Sequence, residues 1–232
     1  MQPSVRRISQ DIYCVSLAEA RDHLRIETDD SDKYVASLIA VAHEYVVSYT
    51  GRALTKATYE MTMDRFPRRT GPYRNDASTA TSGIPYPNYW IDDFPWSAVP
   101  IELPYAPVFA DDPGVSVSYT NFSGVTRTLD PAEYTLDLHA IQPTIRPPYS
   151  KAWPTDCQLF PNSVRVQWNA GYGDISQVSP QIKHATLILI SHFFENRDDS
   201  SSMSARRNGT AVPIAVDALL SSVSSGHYSQ VR

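Results

Sequence analysis

Cysteine is nearly missing from this sequence: Cys14 and Cys157 are the only two in 232 residues. They lie far apart and lack metal-ligand spacing, which excludes a disulfide framework or a zinc ribbon and leaves both as unbridged thiols. Long hydrophobic runs are missing too. The most apolar stretch, Leu187–Ile190 with Phe193 and Phe194, is broken by Ser191 and His192 and falls well short of the ~18 residues a membrane span needs. Arg6 and Arg7 near the N-terminus are followed by no apolar segment, so no secretory signal is read and residence in the cytoplasm is expected. The sequons at Asn121 and Asn208 then carry no meaning. Positive charge is not in excess either: Lys and Arg number 20 against 25 Asp and Glu, a net charge of -5. That balance speaks against a protein whose work is to grip phosphates.

Catalytic signatures are equally scarce. There is no Gly-rich phosphate loop, His-Glu-x-x-His, Gly-x-Ser-x-Gly or Cys-x-x-Cys, and no enzyme activity, cofactor or metal is expected. The paired acids Asp92-Asp93, Asp111-Asp112 and Asp198-Asp199 read as turns and solvated loops. His43 and Glu44 are neighbours on a helix and so point apart. His184 and His192 sit on a largely apolar helix and read as core or interface residues rather than metal ligands.

What is present is the composition of a folded protein, 42% hydrophobic and 19% charged, long enough for one large domain or two small ones. Ser16-Leu-Ala-Glu19 has the form of a capping box and predicts a short helix to about Ile26. Val35, Leu38, Ile39, Ala42, Tyr45, Val46 and Tyr49 form one apolar helical face, with Gly51 as the stop. The period then changes to two. Alternation at 59–63, 115–119, 134–138 and 164–168 predicts strands, and Asn121-Phe-Ser-Gly124 predicts the turn of a hairpin joining Val117–Tyr119 to Val125–Leu129.

Two long stretches, Arg68–Pro100 and Ala140–Pro161, are rich in proline and aromatics and are predicted to be irregular. Their Tyr86, Tyr89, Trp90, Trp96, Tyr149 and Trp153 are candidate subunit-interface residues; the alternative is that these loops fold back over their own sheet. Gly171-Tyr-Gly173-Asp174 reads as the turn from sheet back to helix. Ser179-Pro180 is read as N-cap and first helical residue, opening a helix apolar around much of its circumference. After a polar loop at 196–211, Pro213 opens a last helix with Val216, Leu219, Leu220 and Val223 on one face. A loose tail ends at Arg232.

The succession of these segments resembles a known family. Val15-Ser-Leu-Ala-Glu-Ala-Arg-Asp-His-Leu-Arg-Ile26, the acidic residues after it, and Leu38-Ile39 through Tyr49-Thr-Gly-Arg52 look like the opening of the head-to-tail connector (adaptor) proteins of long-tailed phages, prophages and gene-transfer agents. Asp64-Arg-Phe-Pro67, Ile101-Glu-Leu-Pro104, Val164-Arg-Val, Asn169-Ala-Gly-Tyr-Gly173, Pro180-Gln-Ile-Lys-His-Ala185, Phe194-Glu-Asn-Arg197 and Pro213-Ile through Leu219-Leu220 extend the similarity in order along the chain.

The resemblance implies an α+β fold: a four-helix connector core with an inserted antiparallel β domain and an extended C-terminal tail. The expected organisation is 1–56 and 178–223 as the two helical halves, 57–177 as the β insertion and 224–232 as a docking tail. It implies a homo-oligomeric ring of twelve copies in the virion neck, assembled in the host cytoplasm. The expected partners are the portal protein above, a stopper or tail-completion protein below, and DNA passing through the lumen without sequence-specific binding, with no membrane. Gly226, His227, Tyr228, Val231 and Arg232 match the portal-docking stretch by position. The two long loops depart from the family pattern. Competing expectations are a stopper or tail-completion ring, a carbohydrate-binding β module on the particle surface, and a hydrolase using Asp92 or Asp112.

Overall fold

The computed structural model describes residues 3–9, 12–67, 99–109, 114–140, 142–149, 151–196 and 213–224. The chain divides into two units, each formed from segments distant in sequence. It is mixed α+β, with four helices and two antiparallel sheets among the described residues.

One unit comprises Ile8–Thr58, Pro104–Phe109 and Asn169–Arg232. Its first helix, α1 (Leu17–Leu24), starts at the capping box the sequence carries: the Ser16 hydroxyl accepts from the Glu19 backbone N–H and the Glu19 carboxylate accepts from that of Ser16. These bonds hold the Glu19 carboxyl below its ordinary pKa. The helix stops two residues before Ile26, where Arg25 turns left-handed at φ 55°. A single 3-10 turn, Asp29–Ser31, leads into α2 (Asp32–Thr50), which ends at left-handed Gly51 as predicted. Arg21 reaches across to Asp29 and Asp32 and pins that connection.

Helix α3 (Pro180–Glu195) begins at the predicted place, with Pro180 in its first turn and Ser179 as the N-cap. Its side chain makes no capping bond; its carbonyl accepts from Ile182 and Lys183 instead. Proline at the first helical position already removes one orphan donor there. Helix α4 (Ile214–Ser221) follows. Val35, Ile39, Ala42 and Val46 of α2, Ile182, Ala185, Leu189 and Ile190 of α3, and Val216 and Leu220 of α4 form one buried core with Ala20 of α1. Cys14 lies in this core against Thr186, and burial pushes its thiol up, away from the reactive thiolate. His43 is buried in α2 beside Tyr13, whereas His184 is on the exposed side of α3 and is no core residue.

The other unit comprises Met1–Arg7, Tyr59–Leu103 and Ala110–Trp168. The single sheet expected there is two sheets. Strands β1 (Ser4–Arg7), β2 (Ala57–Met63), β8 (Val164–Ala170), β4 (Ser116–Thr120) and β5 (Thr126–Thr128) lie side by side in the order β1-β2-β8-β4-β5. A second sheet has the order β3-β7-β6, from β3 (Ile101–Glu102), β7 (Thr144–Arg146) and β6 (Thr135–Asp137). The alternation at 59–63 does bury Tyr59 and Met61 on one side, and Tyr59 stacks on Trp168 at 5.9 Å. Strands β1, β3 and β7 went unread in the sequence, β7 because it lies within a proline-rich stretch.

Glu60 on β2 points to the opposite side and is nevertheless only 2% exposed. Its carboxylate accepts from Arg6 Nε on β1 at 2.9 Å and from Gln167 Nε2 on β8 at 2.8 Å, and Arg165 Nε stands 3.4 Å away. Burial alone would raise its pKa; the bonds from Gln167 and Arg6 and the charges of Arg165 and Arg6 outweigh it, and the net direction is down. A lowered folded pKa means stability present above the unfolded carboxyl value of about 4.3 and lost as pH falls through the folded one. Glu60→Gln is therefore expected to cost about 2 kcal/mol at neutral pH, the scale of charge-assisted bonds lost from a buried acceptor. The gap to the wild type should begin to narrow as pH falls below about 4.3 and close only below the lowered folded value, as read by urea unfolding across pH.

Candidate assembly surface

The described chain carries its most conspicuous open apolar surface at one end of the five-stranded sheet. The β4–β5 turn is fixed by Asn121, whose buried side-chain Oδ1 accepts from Ser123 N at 3.0 Å and Val125 N at 2.9 Å. The Gly124 N–H donates to the Asn121 carbonyl, and Gly124 supplies the positive φ of 76° that the turn requires. The effect is to hold Phe122 at the tip, 69% exposed, with its own N–H bound to the Asp156 carbonyl.

The segment opposite is held as firmly. Gln158 N donates to Thr120 O, Thr120 N to Ser163 O and Ser163 N to Phe160 O, while left-handed Asn162 donates its N–H to the Asp64 carboxylate at 3.1 Å. These bonds leave Leu159 and Phe160 facing solvent, 68% and 62% exposed. Phe122, Leu159, Pro154 and Cys157, with Phe66 at the base and Arg65 beside it, line a hollow of about 230 Å³. Phe66 is rigid there: it stacks on Trp153 at 5.0 Å and meets Tyr119 edge-on at 5.6 Å. The Tyr119 hydroxyl donates to Asp156, and burial together with that bond and that charge raises its pKa, so it stays a neutral donor.

Such a surface offers apolar contact and one cation, and no nucleophile with a base. Among the described residues no group of His, Cys, Asp and Glu is placed to hold a metal ion, and no helix is long and apolar enough to cross a membrane.

Of the six aromatic interface candidates, Tyr86, Tyr89, Trp90 and Trp96 lie outside the described residues. Tyr149 is exposed. Trp153 is 6% exposed and folded back over its own sheet, with its indole N–H donated to the Val99 carbonyl at 3.1 Å and a ring face covered by Phe66. That burial also leaves Trp153 no open platform on which a sugar could stack. The docking-tail candidates Gly226, His227, Tyr228, Val231 and Arg232, and the acid pairs Asp92-Asp93, Asp111-Asp112 and Asp198-Asp199, likewise lie outside the described residues. Phe122, Leu159 and Phe160 were missed in the sequence. The one available signal was an aromatic residue inside a turn of otherwise polar type.

Comparison with known proteins agrees with the sequence resemblance. Residues 14–79 match the model of the phage gp6-like head-tail connector proteins. None of the curated proteins matches. Among solved structures, a chain in the neck of an empty gene transfer agent particle computed with C6 symmetry is similar with a TM-score of 0.66 and 19% identity, over 95% of each chain. A chain of the native gene transfer agent virion gives 0.64 and 18%, over 95% of this chain and 94% of that one. One from the native neck computed with C12 symmetry gives 0.59 and 18% over the same shares. The chain thus resembles the head-tail connector proteins in sequence over residues 14–79 and, over nearly its whole length, shares the fold of a gene transfer agent neck chain.

Proposed function

We propose that this chain is a structural adaptor subunit of the neck of a phage or phage-like particle. Twelve copies form a ring that joins the portal vertex of the head to the stopper or tail, and DNA passes through its lumen. The observation that carries this reading is the end-to-end likeness to neck chains, over 95% of both molecules, combined with the connector match in the first helices.

In this reading the four packed helices are the connector core, the sheets are the inserted domain, and residues 224–232 reach the portal. A subunit of this kind needs stable lateral surfaces and no catalytic centre. An overall charge of -5 also suits a channel through which DNA must slide, because a wall that displaced many counterions would hold it. The C12 symmetry of one neck with a similar chain supports the copy number.

The test is a truncation. Deleting residues 224–232, which follow the last helix, is expected to leave the subunit folded while heads and tails accumulate separately. Electron microscopy of lysates counts the joined particles. Joining at the wild-type level would remove the portal-docking role from the tail, and label on the chain anywhere but the neck would end the adaptor reading.

A further inference from the structure

The hollow beside Phe122 has apolar walls in Phe66, Phe122, Pro154 and Leu159, a polar one in Thr155, and at its side Arg65, which is exposed and forms no ion pair among the described residues. The complementary pattern occurs elsewhere on the same chain. Ile214, at the start of α4, is 74% exposed, and Asp217 stands one helical turn later with no ion pair among the described residues. Positions i and i+3 of a helix lie on one side, so Ile214 and Asp217 present an aliphatic knob flanked by a carboxylate.

A ring of identical subunits needs two different patches that fit each other, since the contact is head-to-tail and repeats until it closes. Resting on the ring reading above, we propose that the Phe122–Leu159 hollow of one copy receives Ile214 of the next copy, with Arg65 of the first paired to Asp217 of the second. The apolar contact supplies binding and the charge pair supplies register. The occupant is a second copy of this chain because the carboxylate and the exposed aliphatic that the hollow lacks are both present on it.

Native mass measurement with and without portal reads assembly. Arg65→Glu and Asp217→Arg should each weaken it by about fivefold per interface, the upper scale of a surface ion pair. The double variant Arg65→Glu/Asp217→Arg should restore it, and unfolding midpoints should not move in any of the three. Rescue by the double variant supports the proposal. If rings form but the double variant assembles no better than the single ones, the proposal is wrong and the ring reading stands. If the wild type forms no ring with or without portal, the ring reading itself fails and takes the proposal with it.

Discussion

Leu189→Asp is expected to abolish soluble folded protein. Leu189 sits at the centre of α3 with no exposed surface, in the core that α2, α3 and α4 share. A carboxylate there enters an apolar core: the buried α3 positions are Ile182, Ala185, Thr186 and Ile190, and α2 and α4 bring Val35, Ile39, Val46, Val216 and Leu220. It must either stay ionised without water or take up a proton, and it also forfeits the packing of a leucine. The two losses together are expected to exceed about 4 kcal/mol, a large part of the whole stability of an ordinary domain. Ile214→Asp is the matched control. It places the same group on the same unit at an exposed site and should shift the unfolding midpoint little, by about 0.5 kcal/mol or less. Circular dichroism and the soluble fraction after expression separate the two; a folded, soluble Leu189→Asp protein would contradict the core described here.

The parts of the fold that could be read in advance are those decided by neighbours in sequence. The capping box at Ser16, the stop at Gly51 and the Asn121–Gly124 turn each depend on residues within four positions, and all three stand in the structure. Strand β1 could not be read this way. Ser-Val-Arg-Arg has no strong pattern of its own, and it becomes a strand because Arg6 finds Glu60 more than fifty positions away. Ser179 is the N-cap its sequence context suggests, although its carbonyl rather than its hydroxyl does the bonding.

The candidate surface was the least legible feature. Its lining comes from three segments, around Phe66, Phe122 and Leu159, that only the sheet brings together. Aromatic density alone pointed to the proline-rich loops as interface, and for Trp153 it could not separate an outward ring from one folded inward. The exposed aromatic of consequence is Phe122, which stands alone in sequence and owes its exposure to the hydrogen bonds of Asn121.

Gly171→Ala carries the other large expected effect, and its cause is geometric rather than chemical. Gly171 follows β8 at φ 116°, a conformation that residues with a Cβ rarely adopt. Its N–H donates to the Pro107 carbonyl, fixing the backbone where it is. A Cβ on it would lie 2.0 Å from the Thr55 carbonyl oxygen and 2.4 Å from that carbonyl carbon, both backbone atoms. Thr55 cannot retreat cheaply, since its hydroxyl is bonded to the Ile12 carbonyl at 2.7 Å. Strain and displacement together are expected to cost about 4 kcal/mol or more. Two other glycines isolate the contributions. Gly124 shares the positive φ but nothing lies within 4 Å of its Cβ position, so Gly124→Ala should cost only the conformational part, about 1–2 kcal/mol. Gly173, in the same turn as Gly171, would make only ordinary contacts, the nearest at 3.6 Å, and Gly173→Ala should change stability by about 0.5 kcal/mol or less. Urea unfolding of the three variants should give the order Gly171, Gly124, Gly173. Equal costs at Gly171 and Gly124 would mean that the close approach of the turn to Thr55 does not exist in the folded protein.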